Sequence, residues 1–155
     1  MTSFVLTPLP SPLPPLDPPP AGSLRVVADA PFGFPCRRCL RDAATGEALV
    51  LLSYDPFRGD SPYRQPGPVF VHERDCAPDP DAGAEALPEQ LTRRLLSVRA
   101  FDADHRMCSA SVVEGPDLAG AATEALAAEG VAYLHVHNAG PGCFAVRIDR
   151  ADAPS

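Results

Sequence analysis

The chain contains no lysine; all thirteen of its basic residues are arginine. It has one asparagine (Asn138) and one isoleucine (Ile148), while alanine, proline and glycine abound. The depleted residues have A/T-rich codons, so the pattern is that of a genome strongly biased toward G and C. Such a bias strips meaning from the missing lysine and from the twenty prolines. It lends weight to the few residues that resist it, namely Tyr54, Tyr63, Tyr133 and Asn138.

Other absences exclude whole classes of function. No apolar run approaches the ~20 residues needed to cross a bilayer. The opening MTSFVLTPLP has no basic residue before its apolar stretch, which prolines interrupt, so it does not read as a signal peptide. The formal net charge is −7 and the pI about 4.9. An acidic chain lacks the basic face that releases counterions, so neither nucleic acid nor anionic membrane is an expected partner. The clusters Arg37/Arg38/Arg41 and Arg93/Arg94 read as solvated surface. Without an export signal, the five cysteines are expected to be thiols in a reducing, cytoplasmic setting, and their odd number argues against a closed disulfide set.

Residues 1–22 hold eight prolines. Proline at that density opposes helix and sheet ladders, so the segment reads as an extended or disordered arm, with docking on a partner's aromatic groove as an alternative role. Residues 23–150 read as one domain and 151–155 as a tail. Strands are expected at Leu24–Ala28, Glu47–Tyr54, Val69–Glu73, Leu95–Phe101, Met107–Glu114, Val131–His137 and Phe144–Asp149. Pro88–Arg94 reads as a short helix and Asp117–Glu129 as the main one, opened by Pro116 and stopped by Gly130. Strands outnumber helices and hairpins outnumber crossovers. The expected class is α+β, a single domain with a largely antiparallel sheet.

The last hairpin, VAYLHVHNAGPGCFAVRID, carries the densest chemistry. If His137 pairs with Cys143 across the loop, alternation sends Ala132, Leu134, Val136, Phe144, Val146 and Ile148 to an oily face. The other face then holds Tyr133, His135, His137, Cys143, Ala145 and Arg147, with opposed side chains ~5 Å apart. His135, His137 and Cys143 could then ligate a transition metal or form a Cys/His nucleophile pair. The alternatives are a hydrogen-bonded polar face or a metal-free ligand surface. Asn138 also suits a hairpin loop for its backbone alone.

Two further segments draw attention. Cys36-Arg37-Arg38-Cys39 has metal-ligand or redox spacing, but Cys76, Cys108 and Cys143 read as singletons, with no second short-spaced pair. An extended Cys36–Leu40 would point the two thiols to opposite faces, which argues against joint chelation. Arg37 is a candidate anion contact. The 14-residue loop Asp55–Pro68 is stiffened by Pro56, Pro62, Pro66 and Pro68. A rigid loop bearing Tyr63 and Arg64 suits a pocket wall for a carboxylate or phosphate, or it packs on its own aromatics. His72, alternating with Val69 and Val71, reads as a sheet residue.

The stretches FPCRRCLRDAATGEALVLLSYDPF, DSPYRQPGPVFVHER, RRLLSVRAFDAD, VVEG and HVHNAGPGCFAVRIDR, in that order, resemble the domain-of-unknown-function 1203 family of bacterial proteins over roughly Pro31 to Arg150. The resemblance implies no reaction and no cofactor. It places Cys36, Arg37, Tyr54, Pro62, Tyr63, Gly67, Pro68, His137, Asn138, Gly142 and Cys143 in signature segments. The chain departs from that pattern in its proline-rich start, in Gly140-Pro141, and in Phe144 where a tyrosine is expected. The favoured reading is a small-ligand-binding or enzymatic domain with one polar pocket. Cys36, Arg37, Tyr54, Tyr63, Arg64, His135, His137, Asn138 and Cys143 are its candidate residues and a small anion its candidate ligand. A metal-binding protein using the final hairpin and an interaction module using the arm are the alternatives.

Overall fold

The computed structural model describes residues 3–9, 16 and 18–152. Most of the regular structure is antiparallel sheet, in two pieces. Strands β1 (Phe4–Thr7), β5 (Leu95–Phe101), β6 (Met107–Glu114), β7 (Tyr133–Asn138) and β8 (Phe144–Arg150) form a five-stranded sheet in the order β1-β8-β7-β5-β6. Strands β2 (Leu24–Val27), β3 (Ala48–Tyr54) and β4 (Gly67–His72) form a three-stranded sheet. The described residues also form two α-helices, α1 (Glu89–Thr92) and α2 (Leu118–Ala127), with a 3-10 turn at Gly115–Asp117 leading into the second. The architecture is that of an α+β domain with little helix. No helix among the described residues is long and apolar enough to cross a membrane.

The large sheet has two unlike faces because its strands alternate. Leu96, Val98 and Ala100 of β5, Leu134 and Val136 of β7, and Val146 and Ile148 of β8 share one buried cluster. Leu118, Ala122 and Leu126 of α2 join it, four residues apart and therefore on one stripe of the helix. Their burial stabilises the helix more than its own caps do, since its N-terminus has no side-chain cap. Helix α1 packs closely on the turn before α2. A β-carbon on Gly115 would lie 2.2 Å from the Leu91 carbonyl oxygen, so only glycine fits there.

The opposite face carries Phe101, Tyr133, His135, His137 and Phe144. Phe144 also joins a second cluster with Val50 and Leu52 of β3 and Val69 and Val71 of β4, which ties the two sheets together. The segment read as an arm supplies β1, whose residues Phe4 to Thr7 pair with Arg150 to Arg147 of β8. These four residues precede the first proline, Pro8, so the ladder loses no donor to a ring nitrogen. Pro10, Pro12, Pro14 and Pro15 lie outside the described residues.

Candidate functional site

The proline-framed loop folds back over the polar face of the large sheet. Phe57 stands edge-on to Phe101 and to His135, with ring centroids 5.1 and 4.8 Å apart. The Ser61 hydroxyl donates to the backbone carbonyl of His105 at 2.5 Å. Gly59 lies so close to the His105 ring that an added β-carbon would sit 2.5 Å from Nε2. Inside the loop, Arg64 donates to Asp55 at 2.8 Å and to Asp60 at 3.3 Å, so this guanidinium braces the loop. Tyr63 stays exposed at its rim, 6.1 Å from the Phe101 ring.

Between loop and sheet lies a cavity of about 330 Å³, within the size range of small-ligand pockets. Its walls include Phe57, Tyr63, Phe101 and Met107, and Arg64, Gln65, Arg99 and His137 line it with polar groups. Arg99 projects from β5, where its Nε donates to Ser97 Oγ at 3.1 Å. Among the described residues no carboxylate lies within ion-pair distance of it. Burial lowers its pKa, the direction expected of a charge held partly away from water. Arg58, exposed on the loop, is likewise unpaired among the described residues. Arg64 is paired with Asp55 and Asp60, so Arg99 is the one cavity-lining cation without a carboxylate among the described residues.

The two histidines of β7 differ in kind. His137 Nδ1 lies 2.9 Å from the Gly142 carbonyl, which can only accept, so Nδ1 carries the proton. Nε2 then offers a lone pair toward Arg99 Nη1 at 3.5 Å. Burial, with Arg99 and Arg37 adding to it, lowers the His137 pKa to about 4. His135 is fully buried among Phe57, Phe101, Tyr133 and Phe144, and neither ring nitrogen has a hydrogen-bond partner among the described residues. Burial lowers its pKa to about 3, with His137, Arg147, Arg58 and Arg99 contributing. Both rings are neutral near pH 7.

The hairpin register departs from simple alternation. A bulge after Val136 sets His137 opposite Phe144 rather than Cys143. Phe144 consequently lies on the histidine face, with ring centroids 5.3 Å from His135 and 5.8 Å from His137, while Ala145 enters the core. Cys143 turns away from the cavity, toward Arg37 and Asn138. His135, His137 and Cys143 therefore do not form a metal-ligand set.

Arg37 is 1% exposed and is not an anion contact on the surface. Its Nε donates to the Phe144 carbonyl at 2.7 Å, Nη1 to the Pro35 carbonyl at 2.5 Å and Nη2 to Cys143 Sγ at 3.0 Å. It works as a strut between the Cys36 segment and the last hairpin. Asn138 is also buried; its Nδ2 reaches Cys143 Sγ at 3.6 Å. Tyr54 packs against Phe144 with centroids 6.0 Å apart. Of the candidate residues, Tyr63, Arg64 and His137 line the cavity and His135 backs it. Cys36, Arg37, Tyr54, Asn138 and Cys143 lie elsewhere, and Arg99, Phe101 and Met107 complete the cavity.

The Cys36–Leu40 segment is not extended. The Leu40 amide donates to the Cys36 carbonyl at 3.0 Å, closing a turn, and Leu40 adopts φ 59°. That left-handed conformation costs a leucine ~1–2 kcal/mol, here offset by full burial of the side chain. The turn points both thiols to one side. There they meet His72, at the end of β4, and Cys76, just beyond it. One ligand-type atom from each of Cys36, Cys39, His72 and Cys76 lies within 4.8 Å of all the others. The Cys36 pKa is lowered by the Cys39 and Cys76 thiols, while those of Cys39 and Cys76 are raised, chiefly by Cys36.

A hollow of about 440 Å³ adjoins Cys39, walled in part by Asp42, Asp79 and Asp81. Its acidic wall is a poor match for an anion.

The family model described as "Protein of unknown function (DUF1203)" matches residues 33–150. The chain belongs to the DUF1203 family. No curated protein and no solved structure matches it. The DUF1203 match takes in both the cavity and the Cys/His cluster, but leaves out β1 and β2. In this DUF1203 domain the sequence also holds a short-spaced His/Cys pair, His72-x3-Cys76, beside Cys36-x2-Cys39. Its signal is masked because His72 alternates with Val69 and Val71 like a sheet residue. Arg99 was missed for a different reason: its significance lies in an absent carboxylate, which no spacing reveals.

Proposed function

We propose that this domain binds a small organic anion in the cavity between the proline-framed loop and β5–β7. The observation that carries the reading is Arg99, a partly buried guanidinium without a carboxylate partner among the described residues, facing a cavity walled by Phe57, Tyr63, Phe101 and Met107. A guanidinium of this kind recognises a carboxylate or phosphate by paired N–H donors. The aromatic walls favour a ligand whose remainder is flat or apolar. Neutral His137, with its tautomer set by Gly142, adds an acceptor for a ligand hydroxyl or amide. The five free cysteines suit a reducing compartment, which supports a cytoplasmic location.

The test is an NMR titration of the full chain with benzoate, phenyl phosphate and the neutral isostere benzamide. The two anions are expected to shift the resonances of Arg99, His137 and Tyr63 with saturation, and benzamide far less. Equal responses to all three, or shifts confined to other surfaces, would overturn the reading.

A further inference from the structure

We propose that Cys36, Cys39, His72 and Cys76 form a closed, structural zinc site. Three independent features support it.

The first is size. In a tetrahedral site with Zn–S near 2.3 Å and Zn–N near 2.0–2.1 Å, neighbouring ligand atoms stand about 3.5–3.8 Å apart. Cys36 Sγ and Cys76 Sγ are 3.6 Å apart, and Cys39 Sγ and His72 Nδ1 are 3.5 Å apart.

The second is the setting of the imidazole. His72 Nε2 lies 3.2 Å from Glu47 Oε1. A carboxylate there accepts a hydrogen bond from Nε2–H and leaves the Nδ1 lone pair aimed at the thiols, the arrangement that orients histidine ligands at zinc sites. Glu47 is in turn held by Arg74 at 2.5 Å and by the Ala44 amide at 2.7 Å. The His72 amide donates to Cys36 Sγ at 3.3 Å, as an amide does to a ligating thiolate. Arg38, bonded to the His72 and Arg74 carbonyls, places a further positive charge beside the cluster.

The third is burial and spacing. Cys36, Cys39 and His72 are 3% exposed or less, and Cys76 is half-buried. The ligands come as two short-spaced pairs, Cys36-x2-Cys39 and His72-x3-Cys76, from the turn before β3 and from the end of β4. Four protein ligands leave no position for water or substrate, so the ion staples rather than catalyses. Three thiols give up their protons as Zn²⁺ enters with neutral His72, leaving a centre of net charge −1 beside Arg38 and Arg74.

The experiment uses the untagged full chain, purified with reductant and without chelator, and measures metal by mass spectrometry. One zinc ion per chain is expected. Cys76→Ser and His72→Ala should lose it and Cys108→Ser should keep it. Glu47→Gln should weaken zinc affinity about 10–100-fold. Because ligand variants can fail to fold, the wild-type chain is also stripped and reloaded with Co²⁺. Intense visible bands and a thiolate charge-transfer band are expected, and His72→Cys should retain the tetrahedral spectrum with a stronger charge-transfer band. The proposal is overturned by stripped wild-type protein that takes up neither Zn²⁺ nor Co²⁺. It is overturned equally by a Cys36–Cys76 disulfide in protein kept reduced throughout, or by metal that survives Cys76→Ser but not Cys143→Ser.

Discussion

His137 presents its unprotonated Nε2 to Arg99 Nη1 at 3.5 Å, while its Nδ1–H is spent on the Gly142 carbonyl. The pair is a fixed acceptor beside a cation that has no carboxylate partner among the described residues. Arg99→Gln should therefore weaken binding of benzoate or phenyl phosphate about 10–100-fold, the worth of one charge-assisted hydrogen bond. Benzamide binding should be unchanged. Arg99→Lys should recover part of the loss, since the charge returns without the planar fork. Thermal unfolding should be little altered, because Arg99 makes only two side-chain contacts among the described residues, with Ser97 Oγ at 3.1 Å and a long one with His137 Nε2 at 3.5 Å.

The neutral histidines make stability depend on pH. An unfolded chain titrates its histidines near 6.5, whereas His135 and His137 hold out to about 3 and about 4 when folded. The unfolded state thus binds more protons below pH 6.5, and stability is complete above that value and lost as pH falls toward 4. Each histidine contributes a slope of about 1.4 kcal/mol per pH unit across that window. His135→Leu forfeits no hydrogen bond. Urea unfolding should show it near wild type at pH 7 and clearly more stable than wild type at pH 5. The groups around the ring, His137, Arg58, Arg99 and Arg147, all oppose its protonation and none compensates it. Equal losses in variant and wild type on going from pH 7 to 5 would remove His135 from the explanation.

Gly59→Ala should lift the loop from the sheet. The new methyl group would meet the His105 ring, and overpacking of this kind costs about 1–3 kcal/mol. Ligand binding should fall with it, since Phe57 and Tyr63 sit on the same loop. Because the obstacle is a side chain, Gly59→Ala combined with His105→Ala should cost less than the sum of the two changes. Double-mutant unfolding energies check this directly.

Arg37→Met should destabilise the domain by roughly 3 kcal/mol or more, because it leaves the Phe144 and Pro35 carbonyls without their donors. Arg37→Lys should not rescue it. A single ammonium cannot reach three acceptors spread around a planar guanidinium. Denaturant titration of the three proteins decides the point.

Most strands were legible: β5 and β7 alternate apolar and polar residues, and β3 is a continuous apolar run, as a strand covered on both faces should be. What escaped was set by geometry that sequence does not encode. A bulge after Val136 shifts the hairpin by one residue and moves Phe144 to the histidine face. The turn that unites Cys36 and Cys39 needs Leu40 at φ 59°, a conformation no reader assigns to leucine in advance. A rigid loop bearing Tyr63 and Arg64 suits a pocket wall, and in the structure these two residues line one hollow with His137. Arg99 was hidden among residues read only as strand. The four residues of β1 are masked by their neighbours, since the dense prolines that follow from Pro8 onward obscure the short strand signal of Phe4–Thr7.

That short strand has a practical consequence for anyone trimming the protein to its DUF1203 core. β1 occupies the outer flank of β8, so a chain begun near residue 33 would present the backbone groups of Arg147–Arg150 bare along one side of the sheet. Bare strands of that kind recruit one another. Self-association of such a truncated chain would reflect a missing cover strand rather than a native oligomer.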